Sequence, residues 1–500
     1  MHTVVLHQRI IRLRSVYLHR ERMDTIPSWC KEEPFVLSIH SDLLGNSSQY
    51  CSTCLRVKPG GVSWFYCNGC FKFMYCSKEC RSVDEEIHKP ECERIQRIEA
   101  WKLDESPEST WSSFSEILIG ARSDNWWQWP DDFLRLFGRL HWKLKQAEFK
   151  DFRSNGRSFK DLKDSVEKMR RNSKALEEFE NFLLQYATFI NKSAKKLDKD
   201  KMMLIYSRLR VNMFPIYNSY LKRIGYGLYL NLSRVHHSCN PTARLMFNGT
   251  TAALVPTLYP HMDRPFSWEK VTISYVDDLV PTADRKKLLL DNYFTECNCR
   301  SCLDRSRDGE MRSFVCFDTK CKGRVPPTAK SEDRVMCLKC RKELPWNVIE
   351  EKNRKAMKLL RKLETAVADP DISKEEKLAT AKELVGEMES CWHRFNVFLM
   401  RAWRIAFQYG IQLGRFDGGS KKVRGYGRKL AEAYKVYLGK YDAVLLVHFY
   451  QAAKAFKDTG DDESAAELLF NSYLKYVHIY GAKNPALSEV GKLLSEIDLS

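Results

Sequence analysis

No apolar run in this chain approaches the roughly 20 residues that a membrane-spanning helix needs. The nearest, around Ala443 to Phe449, is seven long and leads into polar and charged residues, so a helical membrane span is not expected. The first residues also lack the apolar stretch of a secretory signal. Residues 1 to 20 instead carry Arg9, Arg12, Arg14 and Arg20 and no acid, a pattern faintly like that of organelle transit peptides. Glycine is scarce there too, since the first 50 residues hold only Gly45. Acid is in deficit along the whole chain, with Lys+Arg 82 against Asp+Glu 64 and a net charge of +18. That balance would suit nucleic acid as a secondary partner. The basic clusters at Lys168, Arg170 and Arg171 and at Lys192 to Lys201 are interleaved with acids, however, and read first as solvated helix faces.

An apolar fraction of 44% and a charged fraction of 29% are ordinary for a folded chain and exclude wholesale disorder or a collagen-like fibre. At 500 residues the chain exceeds one core, so about three or more domains are expected. The 17 cysteines fall in tight pairs rather than at disulfide-like spacings, and no secretory signal precedes them. Metal-bound thiolates in a reducing compartment follow from that spacing, and nucleus and cytoplasm is the location expected.

The texture changes along the chain. Residues 1–33 are basic and unpunctuated, and 34–44 (PFVLSIHSDLL) can hold one short strand. The cysteine block spans 51–92. A linker at 103–115 opens a mostly helical stretch within 100–205, whose clearest helix has Leu176, Phe179, Leu183, Tyr186 and Ile190 on one face. From 206 to about 290 the chain is β-rich, with Thr242–Phe247, Ala252–Pro256 and Val271–Tyr275 as strands. Cysteine pairs return between Cys297 and Cys340, broken by the turn-rich 324–333, and 346–500 is helical. A faint repeat, Gly-Lys-Tyr-Asp at 439–442 and Gly-Ala-Lys-Asn at 481–484, suits paired-helix repeats or an irregular bundle equally.

Three cysteine groups carry metal chemistry. The first is C-x2-C at Cys51 and Cys54, C-x2-C at Cys67 and Cys70, C-x3-C at Cys76 and Cys80, and H-x3-C at His88 and Cys92. Eight soft donors in four pairs suffice for two closed tetrahedral zinc ions, with no open position for catalysis. The second is Cys297, Cys299 and Cys302, three ligands with no local fourth; Cys239 is the natural candidate if the chain folds back. The third, Cys316 and Cys321 with Cys337 and Cys340, reads as a small zinc ribbon over 312–342. Cys30 and Cys391 are left over as ordinary thiols.

The first pattern resembles the MYND zinc module. Arg234 to Pro241, containing His237-Ser-Cys239, resembles the signature of SET methyltransferases, Ile273-Ser-Tyr275 their I-x-Y, and Tyr293 to Cys302 their post-SET cysteine tail. Their order identifies a resemblance to the SET-and-MYND (SMYD) protein-lysine methyltransferases. It implies an α+β multidomain fold: a β-rich SET core interrupted by a MYND zinc module and a helical insert, a post-SET zinc tail, and an all-α, TPR-like C-terminal domain. On that reading 34–50 is the remnant of the SET N-terminal part after a divergent 1–33, 206–290 the SET core, and 291–305 the post-SET tail.

The resemblance also implies site roles. Ligands alternate in the MYND module, so Cys51, Cys54, Cys76 and Cys80 would hold one ion and Cys67, Cys70, His88 and Cys92 the other. Cys239 would join Cys297, Cys299 and Cys302 on a third. Tyr275 corresponds to the tyrosine over the transferred methyl and Tyr293 to the one closing the lysine channel. S-adenosylmethionine would be the cofactor, with Asn218, His236, His237 and Phe294 on its side. The chain departs from the family in having His236 for asparagine, Thr295 for an aromatic, and no G-x-G ahead of Cys51. Two functions stay open: a lysine methyltransferase acting on histone or other protein lysines as a monomer, and a cofactor-impaired scaffold that binds protein partners through its zinc module and helical domain.

Overall fold

A computed structural model describes residues 28–45, 49–58, 61, 63–103, 131–147, 156–257, 266–318, 320–327, 334–414, 420–439, 442–480 and 485–497. Most of the basic segment 1–33, most of the linker 103–115, part of the turn-rich 324–333 and the second repeat motif at 481–484 lie outside the described residues.

The β-rich core is two small antiparallel sheets and a parallel pair. Strand β1 (Cys30–Glu32) lies inside the stretch assigned from sequence to a divergent N-terminus, and β2 (Val36–Ile39) inside the 34–44 segment. Two short strands, β3 (Phe65–Tyr66) and β4 (Met74–Tyr75), pair in the cysteine block, which closes on the long helix α1 (Lys78–Leu103). The insert supplies α2 (Asp132–Ala147), α3 (Ser173–Phe189) and α4 (Lys199–Asn212). On α3 the predicted stripe faces the core: Phe179, Leu183 and Tyr186 are buried with Phe137 and Leu209. Then come β5 (Met213–Tyr217), β6 (Arg223–Leu228), β7 (His236–His237), β8 (Ala243–Asn248), β9 (Thr251–Pro256) and β10 (Thr272–Ile273). Their sheet orders are β2-β6-β5 and β1-β9-β8, and β10 runs parallel to β7. The third predicted strand, Val271–Tyr275, is thus only two residues long, because Tyr275 leaves the ladder to point its backbone N–H at a side chain.

Close packing explains the Gly225-Tyr226-Gly227 run. A Cβ at Gly225 would lie 2.5 Å from the Ser38 carbonyl oxygen, and one at Gly227 2.8 Å from the Tyr229 ring. Only glycine lets β6 approach β2 so closely.

The zinc block is bolted to the insert by buried charge. Arg139 of α2 donates from Nη1 to Asp84 Oδ1 (2.7 Å) and from Nε to Glu91 Oε1 (2.5 Å), both carboxylates being on α1. The other Asp84 oxygen accepts from the Tyr75 hydroxyl (2.9 Å), and Arg139 Nη1 also reaches the Leu37 carbonyl of β2 (3.4 Å). One turn earlier Arg135, fully buried, pairs with Asp132 (2.9 Å) and the Ile39 carbonyl. Charged groups this deep are tolerated only when paired, and removing one partner strands the other.

After the core come α5 (Thr282–Tyr293) and α6 (Arg305–Met311), then the hairpins β11 (Phe314–Val315) with β12 (Arg324–Val325) and β13 (Arg334–Met336) with β14 (Glu343–Pro345). The helical domain runs α7 (Trp346–Ala368), α8 (Lys374–Glu389), α9 (Val397–Gln412), α10 (Ser420–Tyr437), α11 (Ala443–Lys457), α12 (Asp462–Tyr480) and α13 (Pro485–Glu496). Consecutive helices pack on one another in a row, as paired-helix stacks do. Asp442, from the first repeat motif, caps α11 by accepting from the Val444 N–H.

Two stability predictions follow from these buried polar groups. Arg139→Met leaves Asp84 without its cationic partner and Glu91 with only Arg135 and His88, and is expected to cost about 3–5 kcal/mol in urea unfolding; a loss under about 1 kcal/mol would contradict the bolt. In the helical domain His448 is buried between the Phe407 and Tyr434 rings and donates from Nε2 to the Gly427 carbonyl (2.9 Å). Burial holds its pKa down to about 4. The unfolded chain, with an ordinary value of about 6.5, therefore takes up a proton that the folded domain refuses. Stability is unaffected above that value and falls as pH drops from it towards 4, by on the order of 2 kcal/mol between pH 7 and 5. Urea midpoints at the two pH values, compared with those of His448→Gln, which should lack that drop, measure it.

Candidate active site and metal centres

Each knuckle of the cysteine block is a tight turn whose last residue, Leu55 after Cys54 and Phe71 after Cys70, sits at positive φ (52° and 55°). That conformation returns the backbone so that Leu55 N–H donates to the Cys51 carbonyl (2.9 Å) and Phe71 N–H to that of Cys67 (3.1 Å). The ligands interleave as the resemblance implies: Cys51, Cys54, Cys76 and Cys80 form one group, Cys67, Cys70, His88 and Cys92 another. In each, all four donor atoms lie within 4.8 Å of one another. Sulfur separations are 3.7 Å for Cys54 and Cys76, 3.5 Å for Cys76 and Cys80, and 3.5 Å for Cys67 and Cys92. Tetrahedral zinc with Zn–S bonds of about 2.3 Å puts its sulfurs about 3.8 Å apart, whereas a disulfide would need about 2.0 Å. The donor sets fit zinc. His88 bonds through Nδ1 to Glu91 (3.0 Å), which leaves Nε2, 3.4 Å from Cys70 Sγ, for the ion.

The third group closes the fold back on itself. Cys239, just beyond β7, meets Cys297, Cys299 and Cys302 from beyond α5, with 3.6 Å between the Cys239 and Cys302 sulfurs. Arg285 of α5, 1% exposed, lies against the Cys239 and Cys302 thiols and is held by Thr282 Oγ1 (2.9 Å) and the Ser301 carbonyl (3.4 Å). Its positive charge offsets the net negative charge of a four-thiolate zinc centre.

That centre reaches the tyrosines through His237. Its Nδ1 accepts from the Tyr275 backbone N–H (3.0 Å), so the ring proton is on Nε2, which faces Cys239 Sγ at 3.1 Å. Burial lowers the His237 pKa to about 4 and keeps the ring neutral. The Tyr275 hydroxyl donates to the Val235 carbonyl, and its ring stands 4.9 Å from that of Tyr293. Burial raises both phenol pKa values, so both hydroxyls stay protonated. The two rings line a cavity of about 520 Å³ between the β core and the helical domain, with Asn212, Tyr217 and Tyr434 also on its wall. Arg244 of β8 spans this cavity's edge, paired with Asp278 three residues beyond Tyr275 and with Asp442 of the helical domain (2.7 Å).

None of the cofactor-side residues expected from sequence lines this cavity. Asn218 sits in the β5–β6 turn, where its Oδ1 accepts from the Tyr220 and Lys222 N–H groups and its Nδ2 donates to the Tyr50 hydroxyl. It is a turn residue and does not line the cavity. Phe294 ends α5 at φ 51° and buries its ring in the insert core, with the Arg210 guanidinium 5.6 Å from it. His236 is exposed on β7, while His237 faces inward. Thr295 Oγ1 donates to the Tyr293 carbonyl. Two unforeseen residues shape the site. Glu32 of β1, buried, accepts from the Asn231 and Leu232 N–H groups (both 2.9 Å) and so fixes the turn that leads into His237. Arg285 is the other; only its chain distance from Cys239 hid it. Of the leftover thiols, Cys391 is buried and its pKa is pushed up to about 12 by that burial.

A cysteine-rich module on a β core whose tail folds back over paired tyrosines is the arrangement that the resemblance to SET-and-MYND proteins implies. The family model "MYND finger" matches residues 47–92. The chain is 25% identical to SET domain-containing protein 14 of Caenorhabditis elegans, over 89% of this chain and 92% of that protein. It is 22% identical to N-lysine methyltransferase SMYD2 of Homo sapiens, over 92% and 90%, and 22% identical to that of Rattus norvegicus, over 89% and 88%. The chain is thus similar along about nine-tenths of its length to SET-and-MYND proteins, and its MYND finger is matched directly.

Arg285→Leu is expected to weaken zinc at the Cys239 centre by about 10–100-fold without touching the two MYND ions, read by competition with a chromophoric chelator. Unchanged zinc affinity would remove its assigned role.

Proposed function

We propose that this chain is an S-adenosylmethionine-dependent protein-lysine N-methyltransferase, acting in nucleus and cytoplasm on histone tails or other protein lysines. The observation that carries the reading is the Tyr275–Tyr293 pair at a cavity wall, held by the Cys239 centre through His237. Its relatives named N-lysine methyltransferase support the same chemistry.

The cofactor supplies an electrophilic methyl group when bound. Arg157, close to Arg234 just ahead of the His237 loop, has its buried Nη1 without a partner among the described residues, but it is not on the cavity wall. The other requirement is a neutral amine, since lysine's ordinary pKa of about 10.4 keeps it charged in water. Tyr275 and Tyr293 present aromatic walls that attract the cationic head and exclude water. The Tyr275 hydroxyl has spent its proton on the Val235 carbonyl, so its lone pairs are free to accept from the amine N–H and aim the nitrogen lone pair.

A second reading, a cofactor-impaired scaffold binding protein partners, is favoured by one observation: neither Asn218 nor Phe294 lies on the cavity wall. Calorimetry of zinc-loaded protein with S-adenosylmethionine, followed by tritiated methyl transfer to histone and other lysine peptides, separates the two. Tyr275→Phe is expected to lower kcat by about 10²–10³-fold while cofactor affinity stays within about three-fold. No cofactor binding by folded, zinc-loaded protein, with partner binding lost on Cys67→Ala, supports the scaffold instead.

A further inference from the structure

Cys316, Cys321, Cys337 and Cys340 fall between the SET tail and the helical domain and take no part in the chemistry above. Their sulfurs lie within 4.8 Å of one another, with Cys316 to Cys340 and Cys321 to Cys337 each 3.7 Å. That is the edge of a zinc–thiolate tetrahedron, about 3.8 Å, and far from a disulfide. The backbone repeats the geometry of the MYND knuckles. Lys322 and Arg341, each directly after a ligand cysteine, sit at φ 48° and 62°, as Leu55 and Phe71 do. Arg341 N–H donates to the Cys337 carbonyl (3.0 Å), as Phe71 N–H does to Cys67. Non-glycine residues adopt this conformation at a cost of about 1 kcal/mol or more, and here it recurs where thiolates must converge.

The ribbon is also placed to hold something. Val315 N–H donates to the Cys391 carbonyl (2.9 Å) and Phe314 bridges to Trp392, so β11 extends onto the α8–α9 turn. The Ser313 carbonyl accepts from His393 N–H (3.1 Å) and Asn396 Nδ2 (3.0 Å). Phe314 packs edge-on against Trp346 at the start of α7, and Lys352 stands 3.8 Å from the centre of the Phe317 ring. On the other side Arg324 pairs with Glu310 of α6. Two stacked pairs of hairpin strands this short have too little core of their own to hold such contacts without a staple. Three of the four cysteines are buried in the same apolar cluster as the helical domain.

We infer that these four cysteines form a fourth structural zinc site, and that this ion anchors the helical domain to the SET core and so sets the roof of the tyrosine-lined cavity. Each ligand gives up its thiol proton to solvent as its Zn–S bond forms. The inference does not depend on the methyltransferase reading, because an inactive scaffold would need the same anchor.

The test uses the full chain. Four cysteine-rich groups predict four zinc ions per chain by atomic absorption, and Cys337→Ser/Cys340→Ser is expected to hold three. Tryptic cleavage within 312–345 should then speed up by about ten-fold or more, and small-angle scattering should show a more extended chain. Cys340→His keeps a soft donor and is expected to hold all four ions with wild-type protection, which answers for a double variant that fails to fold. Three zinc ions in the reconstituted wild type overturns the site. So does retention of four by the double variant. Loss of the fourth ion from either variant, with proteolysis and scattering unchanged, overturns the anchor.

Discussion

Everything at the tyrosine pair depends on one convergence: Cys239 and Cys297 to Cys302 are far apart in the chain, yet their sulfurs lie within 4.8 Å of one another. Thiolates at that distance apart repel unless a metal sits among them. Closing the centre draws the end of α5, and with it Tyr293, over β7 and the Tyr275 loop. The histidine between them turns metal geometry into backbone geometry, since one ring nitrogen faces the Cys239 sulfur and the other receives the Tyr275 N–H. The phenols are therefore placed by a scaffold that does not itself react.

A different device holds the MYND block. Its helix α1 carries His88 and Cys92 as donors and Asp84 and Glu91 as anchors, and the anchors are matched by two arginines on consecutive turns of α2. Glu91 serves both systems, because it also orients the His88 ring. Metal and ion pair are thus joined through one carboxylate, and the finger is a structural part of the core rather than a tethered appendage.

Sequence made the metal sites legible because donors come in short pairs, and pairing is local. The Leu176 to Ile190 stripe was legible for the same reason: helical period is read over a few residues. Tyr275 and Tyr293 stood out only beside their motifs, since an isolated tyrosine is ordinarily core. What sequence hid was long-range and polar. Glu32 works 199 residues away from the Asn231 turn it holds, and Arg285 reaches its sulfurs only after the fold-back. Sequence also could not say where Asn218 and Phe294 would point, because a position in a motif fixes neither a rotamer nor the side of a strand: the Asn218 amide holds a turn and the Phe294 ring packs in the insert core.

The four left-handed residues after ligand cysteines, Leu55, Phe71, Lys322 and Arg341, have a further consequence. None is glycine, so each turn opposes the backbone's own preference, by about 1–2 kcal/mol. The strain is relieved when a knuckle opens, and it is offset by the turn's backbone hydrogen bonds together with metal coordination. Ion-free turns are thereby biased towards release, which makes the folded population of this chain a reporter of how much zinc was at hand when it was made.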